Sequence, residues 1–372
     1  MADPTIQTFC CHWPNITYSS VKIMREFNST SYNIVCVISS FIGILGALYQ
    51  VLPKTSAKIP HRWQTFSALR GRQIVIWLAI ADFLASIGVF TRSTLWLNLQ
   101  SIVEESDDTS NVLICAITSA WIQYFYTATW LWTLCYAIDM RLVLKEKEGH
   151  PTFYHVVAWT VPAILTSLGL LVLYFPDANC HNLNSLSSAL FHILPNYFAT
   201  YVPIAVVMIA NPVLYMSSSQ DVERLISMSF NQFTSKEREL VDAIKLKFCL
   251  INFVFYFCWL PNILNGILLW TLWFNLPESI IIGLWYVMAV TNPLQALCNS
   301  LVYRRWSGTA DKLYIPCRRQ ISTTVLPESD DSPPVDPWPN SPEVHERTPL
   351  LQSHEYNATT SRSVNGVDPV VN

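Results

Sequence analysis

Residues 73–97 read QIVIWLAIADFLASIGVFTRSTLWL. One acid, Asp82, and one base, Arg92, interrupt an otherwise apolar run. A helix needs about 20 mostly apolar residues to cross ~30 Å of hydrocarbon, and this run meets that length. Six further stretches share its character: Tyr32–Leu52, Asn111–Met140, Phe153–Phe175, Pro195–Tyr215, Ile244–Leu272 and Ser279–Tyr303. The second, third and sixth of the seven runs exceed one straight crossing, which implies tilt or extension beyond the bilayer. Seven successive runs of this length argue against buried helices of a soluble protein. The expected fold is all-α, a seven-helix transmembrane bundle.

Composition agrees. The 372 residues are 51% hydrophobic and 13% charged, where a soluble domain averages about 25% charged. A net charge of -3 gives no reason to expect nucleic acid as a partner. Residues 1–31 lack the apolar core of a signal peptide, so the first run is expected to act as its own insertion signal.

Lys and Arg in the short loops set the expected orientation. The first loop carries Lys54, Lys58, Arg62, Arg70 and Arg72, and the third carries Arg141, Lys145 and Lys147. The fifth, with the start of the sixth helix, carries Arg224, Lys236, Arg238, Lys245 and Lys247. The second, fourth and sixth loops carry no Lys or Arg. The amino terminus is therefore expected in the lumen or outside, and the carboxyl terminus in the cytosol. Asn15-Ile16-Thr17 and Asn28-Ser29-Thr30 fit the N-glycosylation pattern on the expected lumenal side.

The expected organisation is a lumenal segment (1–31), the membrane domain (32–303), a basic amphipathic helix on the inner membrane surface (304–320) and a disordered tail (321–372). Cys317 near the end of the third part is a palmitoylation candidate or a free thiol. Glu346-Arg347-Thr348-Pro349-Leu350-Leu351 in the tail, and Asp221-Val222-Glu223-Arg224-Leu225-Ile226 in the fifth loop, fit the acidic dileucine pattern read by clathrin adaptors. The loop copy fits equally well as the end of the fifth helix.

Ionisable groups inside membrane spans are costly and usually functional. Asp82 lies mid-span, where Thr129 and Asn292 are candidate oxygen partners. These three suit a small cation or a purely structural hydrogen-bond cluster. Asp139, at the inner end of the third helix, is expected to meet solvent and a basic neighbour such as Arg141. Pro261 lacks an N–H and clashes one turn back, so the sixth helix should kink there with Trp259 at the hinge. Asn292-Pro293 predicts a second kink, in the seventh helix. Cys115 and Cys180 fall on the same expected lumenal side, as a disulfide or as two free thiols.

Leu78-Ala79-x-Ala81-Asp82, Trp259-x-Pro261 and Asn292-Pro293 resemble the signatures of rhodopsin-like G-protein-coupled receptors, and the spacing from Cys115 to Asp139 matches their disulfide cysteine and third-helix acidic motif. More closely, the chain resembles the ocular albinism type 1 receptor family. The stretches that carry this are Thr8-Phe9-Cys10-Cys11, Arg92-Ser93-Thr94-Leu95-Trp96-Leu97, Trp121-Ile122-Gln123, Cys135-Tyr136-Ala137-Ile138-Asp139, Cys258-Trp259-Leu260 and Asn292-Pro293-Leu294-Gln295. It departs from general rhodopsin-like receptors in Asp139-Met140-Arg141, where the Arg is displaced by one.

The resemblance implies a melanosomal or lysosomal receptor, partly at the plasma membrane. It implies recognition of L-DOPA or a related tyrosine metabolite, signalling through heterotrimeric G proteins and arrestin, and control of melanosome growth and transport. It implies no catalytic residue, cofactor or metal. For such a zwitterion, Arg92 is the candidate partner of the carboxylate. Gln123 and Tyr126 share a face of the third helix, and with Trp96, Trp259 and Tyr286 they are the candidate walls. Ser322, Thr323 and Thr324 are candidate phosphorylation sites for arrestin.

Three rivals remain. A retinal protein needs a Lys in the last span, and Ser279–Tyr303 has none. An enzyme needs a catalytic or metal cluster, and no such pattern appears. A transporter of an amino-acid-like solute is the remaining alternative, although it would usually show repeats and several intramembrane charges.

Overall fold

The computed structural model describes residues 27–52, 64–103, 109–145, 147–174, 186–229, 235–271 and 278–305. The described residues form seven helices: α1 (Ser29–Val51), α2 (Gln64–Val103), α3 (Thr109–Leu144), α4 (Pro151–Tyr174), α5 (Leu186–Ser229), α6 (Ser235–Thr271) and α7 (Glu278–Arg305). They belong to the first of two compact units, Met1–Lys312; the second, Leu313–Asn372, lies outside the described residues. Each predicted run falls within one helix, to within a residue at the ends. The largest difference is at α5, which is 44 residues long, a contour of about 66 Å.

Among the described residues, six of the helices contain a stretch long and apolar enough to cross a membrane. The seventh, α3, covers the predicted run Asn111–Met140. Its centre holds Trp121, Tyr124, Tyr126, Trp130 and Trp132 among four threonines. It packs on three helices, α2, α4 and α5. Outward faces carry apolar stripes at helical spacing, such as Ile34, Ile38, Phe41 and Leu45 on α1 and Phe198, Val202, Val206, Ile209 and Val213 on α5. Lipid-facing helices require this pattern.

The helix start at Asn28 follows from capping chemistry. Its Oδ1 accepts from the Ser31 N–H at 3.0 Å, which supplies an acceptor for one orphan donor of the first turn. Phe27, just before, is buried against Tyr32, Trp285 and Tyr286.

Proline positions explain how the helices are joined. A proline inside a helix frees a carbonyl one turn back, and in hydrocarbon that carbonyl must find another donor. Pro293 frees the Ala289 carbonyl, which accepts from Ser39 Oγ of α1 at 2.6 Å. Pro212 frees Met208, which accepts from Tyr256 Oη of α6 at 2.7 Å. Around Pro261, Cys258 O accepts from Thr291 Oγ1 of α7 at 3.4 Å. Around Pro162, Trp159 O accepts from Tyr124 Oη of α3 at 3.3 Å. Tyr256→Phe and Ser39→Ala are each expected to lower stability in detergent by about 0.6–1.7 kcal/mol, the range of interhelical hydrogen bonds in membranes. Thermal unfolding checks this, with Thr271→Ala as the milder control, because Thr271 bonds only its own helix at Ile267 O.

Candidate functional site

Buried polar groups gather where α2, α3, α5 and α6 converge. Arg92 is 9% exposed in the half of α2 expected to face the lumen. Tyr126 on α3 is buried with its hydroxyl in electrostatic reach of both Arg92 and Asp82. Its ring meets Trp259 edge-on at 5.1 Å, and Trp130, one turn on, meets the same indole at 4.7 Å. Gln123, one turn before Tyr126, donates from Nε2 to Thr200 Oγ1 of α5 at 3.2 Å. Trp96 is buried one turn beyond Arg92. The Tyr126 hydroxyl, the Gln123 Oε1 and the Trp130 Nε1 are buried without a hydrogen-bond partner among the described residues. Unpaired polar atoms in an apolar interior are costly, so these three are candidates to receive the polar groups of a ligand.

Tyr286 stands apart from the other four candidate wall residues. It packs on Phe27 and Tyr32 at the α1 side, with its hydroxyl donating to Asn28 O at 3.4 Å. The physical reason is helical register. The α7 residue bonded to Trp259 is Gln295, nine positions on, which at ~100° per residue is half a turn away from Tyr286.

Of the two partners expected for Asp82, Thr129 is found and Asn292 is replaced by Asn299. Its Oδ2 accepts from Asn299 Nδ2 at 2.9 Å, and Thr129 offers it a second hydrogen bond. Asn292 instead pairs with Asn262 of α6: the two amides exchange bonds at 2.8 and 3.3 Å. Asp139 is buried rather than solvent-facing, and its Oδ1 accepts from Tyr154 Oη of α4 at 3.3 Å. The reason is that α3 is still packed against α4 at this level. Arg141 is half-buried one residue beyond Met140.

The two proline motifs are joined directly. Trp259 Nε1 donates to Gln295 Oε1 at 2.5 Å, and Trp285 Nε1 donates to Asn265 Oδ1 at 3.1 Å. With the Asn262–Asn292 pair, these bonds fasten α6 from Trp259 onward to α7. Before Trp259, α6 is fastened to α5, through Tyr256 on Met208 O, the Tyr215–Phe248 stack at 4.7 Å and the Lys245–Glu223 ion pair. Sequence reasoning missed Gln295, Asn299, Asn265 and Thr200. Their signal was amides and hydroxyls at three- and four-residue spacing in otherwise apolar runs.

Asp221 to Ile226 lies within α5, and Asp221 pairs with Lys145 at 3.9 Å. Asn15, Cys180, Cys317, Glu346, Leu350 and Leu351, and the side chain of Cys115, lie outside the described residues.

Comparisons with known proteins place this arrangement. The chain is 29% identical to human G-protein coupled receptor 143 over 363 residues, covering 91% of this chain and 87% of that protein. It is 28% identical to the Dictyostelium discoideum cyclic AMP receptor 4 over 254 residues, 67% of this chain and 52% of that one. Its fold resembles that of squid rhodopsin with a TM-score of 0.53, at 12% identity, over 80% of this chain and 89% of that one. The family model for the ocular albinism type 1 protein matches residues 1–332. The chain therefore belongs to the ocular albinism type 1 protein family.

Proposed function

We propose that the protein is a G-protein-coupled receptor for a small zwitterionic aromatic ligand of the L-DOPA kind. The observation that carries the ligand class is Arg92, a guanidinium held inside an apolar bundle beside the unpaired Tyr126 hydroxyl. An intramembrane charge with polar neighbours is a binding site by default. A guanidinium selects a planar carboxylate through paired hydrogen bonds, and Tyr126, Trp259 and Trp130 offer faces and edges to an aromatic ring.

The receptor reading rests on kinship with G-protein coupled receptor 143 and on the bond network between α6 and α7. A ligand that binds better to the state open on the inside shifts the population toward it. G proteins and arrestin are then the partners at the inner end, where the basic loops face the cytosol. The dileucine sequence in the tail would deliver the protein through clathrin adaptors to melanosomes and lysosomes. There it would regulate organelle size and transport.

Cells expressing a Leu350→Ala, Leu351→Ala variant retain the receptor at the surface on this reading. L-DOPA added outside is expected to raise a second messenger in a saturable way. Silence in assays for each G-protein class, with the protein demonstrably at the surface, would sink the ligand assignment.

A further inference from the structure

Resting on that ligand class, we infer that Thr200 determines which end groups the site accepts, by holding the Gln123 amide so that its carbonyl oxygen receives the ammonium group. An α-amino acid carries its two charges on neighbouring atoms. If Arg92 takes the carboxylate, the acceptor for the ammonium must lie at the level of Arg92. Asp82 does not. It is ten residues back along α2, about 15 Å of helix rise, and its carboxyl is already taken up by Asn299 and Thr129.

Gln123 does lie at that level. Gly88 of α2 abuts α3 so closely that a Cβ there would stand 2.5 Å from Trp121 Cδ1 and 2.9 Å from Ile122 Cγ1. Arg92 is one turn outward of this contact, and Gln123 is the next residue after Ile122. Helical side chains lean toward their own amino termini. In antiparallel neighbours, Arg92 therefore leans inward and Gln123 outward, which brings their ends toward one level of the bundle.

The orientation of the amide then decides the chemistry. Gln123 Nε2 is engaged by Thr200 Oγ1, while Oε1 is buried and unpartnered. An amide oxygen accepts only, so it favours a cationic donor. Were the amide reversed, it would present an N–H to the ammonium and repel it. Thr200 is thus a positioning residue, acting through Gln123.

The test uses the full chain in lipid nanodiscs and three probes. These are L-DOPA, dopamine, which lacks the carboxylate, and 3-(3,4-dihydroxyphenyl)propionic acid, which lacks the amine. The intact receptor is expected to bind L-DOPA about tenfold more tightly than the propionic acid, the scale of one hydrogen bond to a charged group. Thr200→Val should bring that ratio close to one while leaving the affinity for the propionic acid unchanged. Thr200→Ser, which keeps the hydroxyl, should restore the ratio. A ratio unaltered by Thr200→Val, or a parallel loss for all three probes, overturns the role of Thr200 and leaves the ligand class standing. An intact receptor that binds L-DOPA and the propionic acid equally also overturns it. A folded receptor that binds none of the three overturns the ligand class and this inference together.

Discussion

Gly46→Val is expected to cost about 3 kcal/mol and to remove the receptor from the cell surface. A Cβ at Gly46 would stand 2.4 Å from Leu297 Cα and 2.7 Å from Leu297 N. Both are backbone atoms of α7, so no side-chain rotation relieves the contact, and one of the helices must move. The same seam carries Gly43, whose Cβ would meet Pro293 O at 2.4 Å, and the Ser39 bond to Ala289 O. Separating α1 from α7 at Gly46 therefore also strains the contact that supports the Pro293 kink. Overpacking alone costs about 1–3 kcal/mol, and the lost interhelical bond adds to it. Surface expression and thermal unfolding in detergent measure the effect. Gly283→Val is the control: nothing lies within 4 Å of a Cβ there, so it should be tolerated. Equal behaviour of the two variants would mean that α1 and α7 do not approach as described.

Arg92→Gln is expected to weaken L-DOPA binding by about thirtyfold or more. Removing one partner of a buried, hydrogen-bonded charge pair costs about 2–5 kcal/mol, and 1.4 kcal/mol is tenfold in affinity. Arg92→Lys should fall between, since it keeps the charge but loses the planar fork that grips a carboxylate. Dopamine, without a carboxylate, should lose little in either variant. Unchanged L-DOPA affinity in a folded Arg92→Gln receptor removes Arg92 from the site.

Hydropathy made the bundle legible, because backbone groups in lipid leave few alternatives to long apolar helices. It also located α3, as the run Asn111–Met140, although the centre of that helix is rich in indoles, phenols and threonines. A helix walled by other helices can exchange aliphatic groups for indoles, phenols and threonines. Sequence reasoning located Asp82 with its partner Thr129, and Trp259 and Asn292, but not Asn299, Gln295 and Asn262 as their partners. Asn292 and Asn299 lie seven residues apart on one face of α7, and only the kink and tilt at Pro293 decide which of them reaches Asp82. Tyr286 was avoidable: Trp285, Asn292, Gln295 and Asn299 form a stripe that excludes it. The burial of Asp139 depends on how far α4 extends alongside α3, which no local pattern records.

Four of the six prolines inside the described helices lie one turn from a carbonyl that accepts from a hydroxyl on another helix, and this ties the fate of distant positions together. Without Pro212, the Tyr256 hydroxyl would compete for a carbonyl that its own helix has reclaimed; without Tyr256, that carbonyl would be stranded in oil. Related chains should therefore gain or lose such a couple in concert, and a lineage that straightens α5 should be found to have abandoned the tyrosine as well.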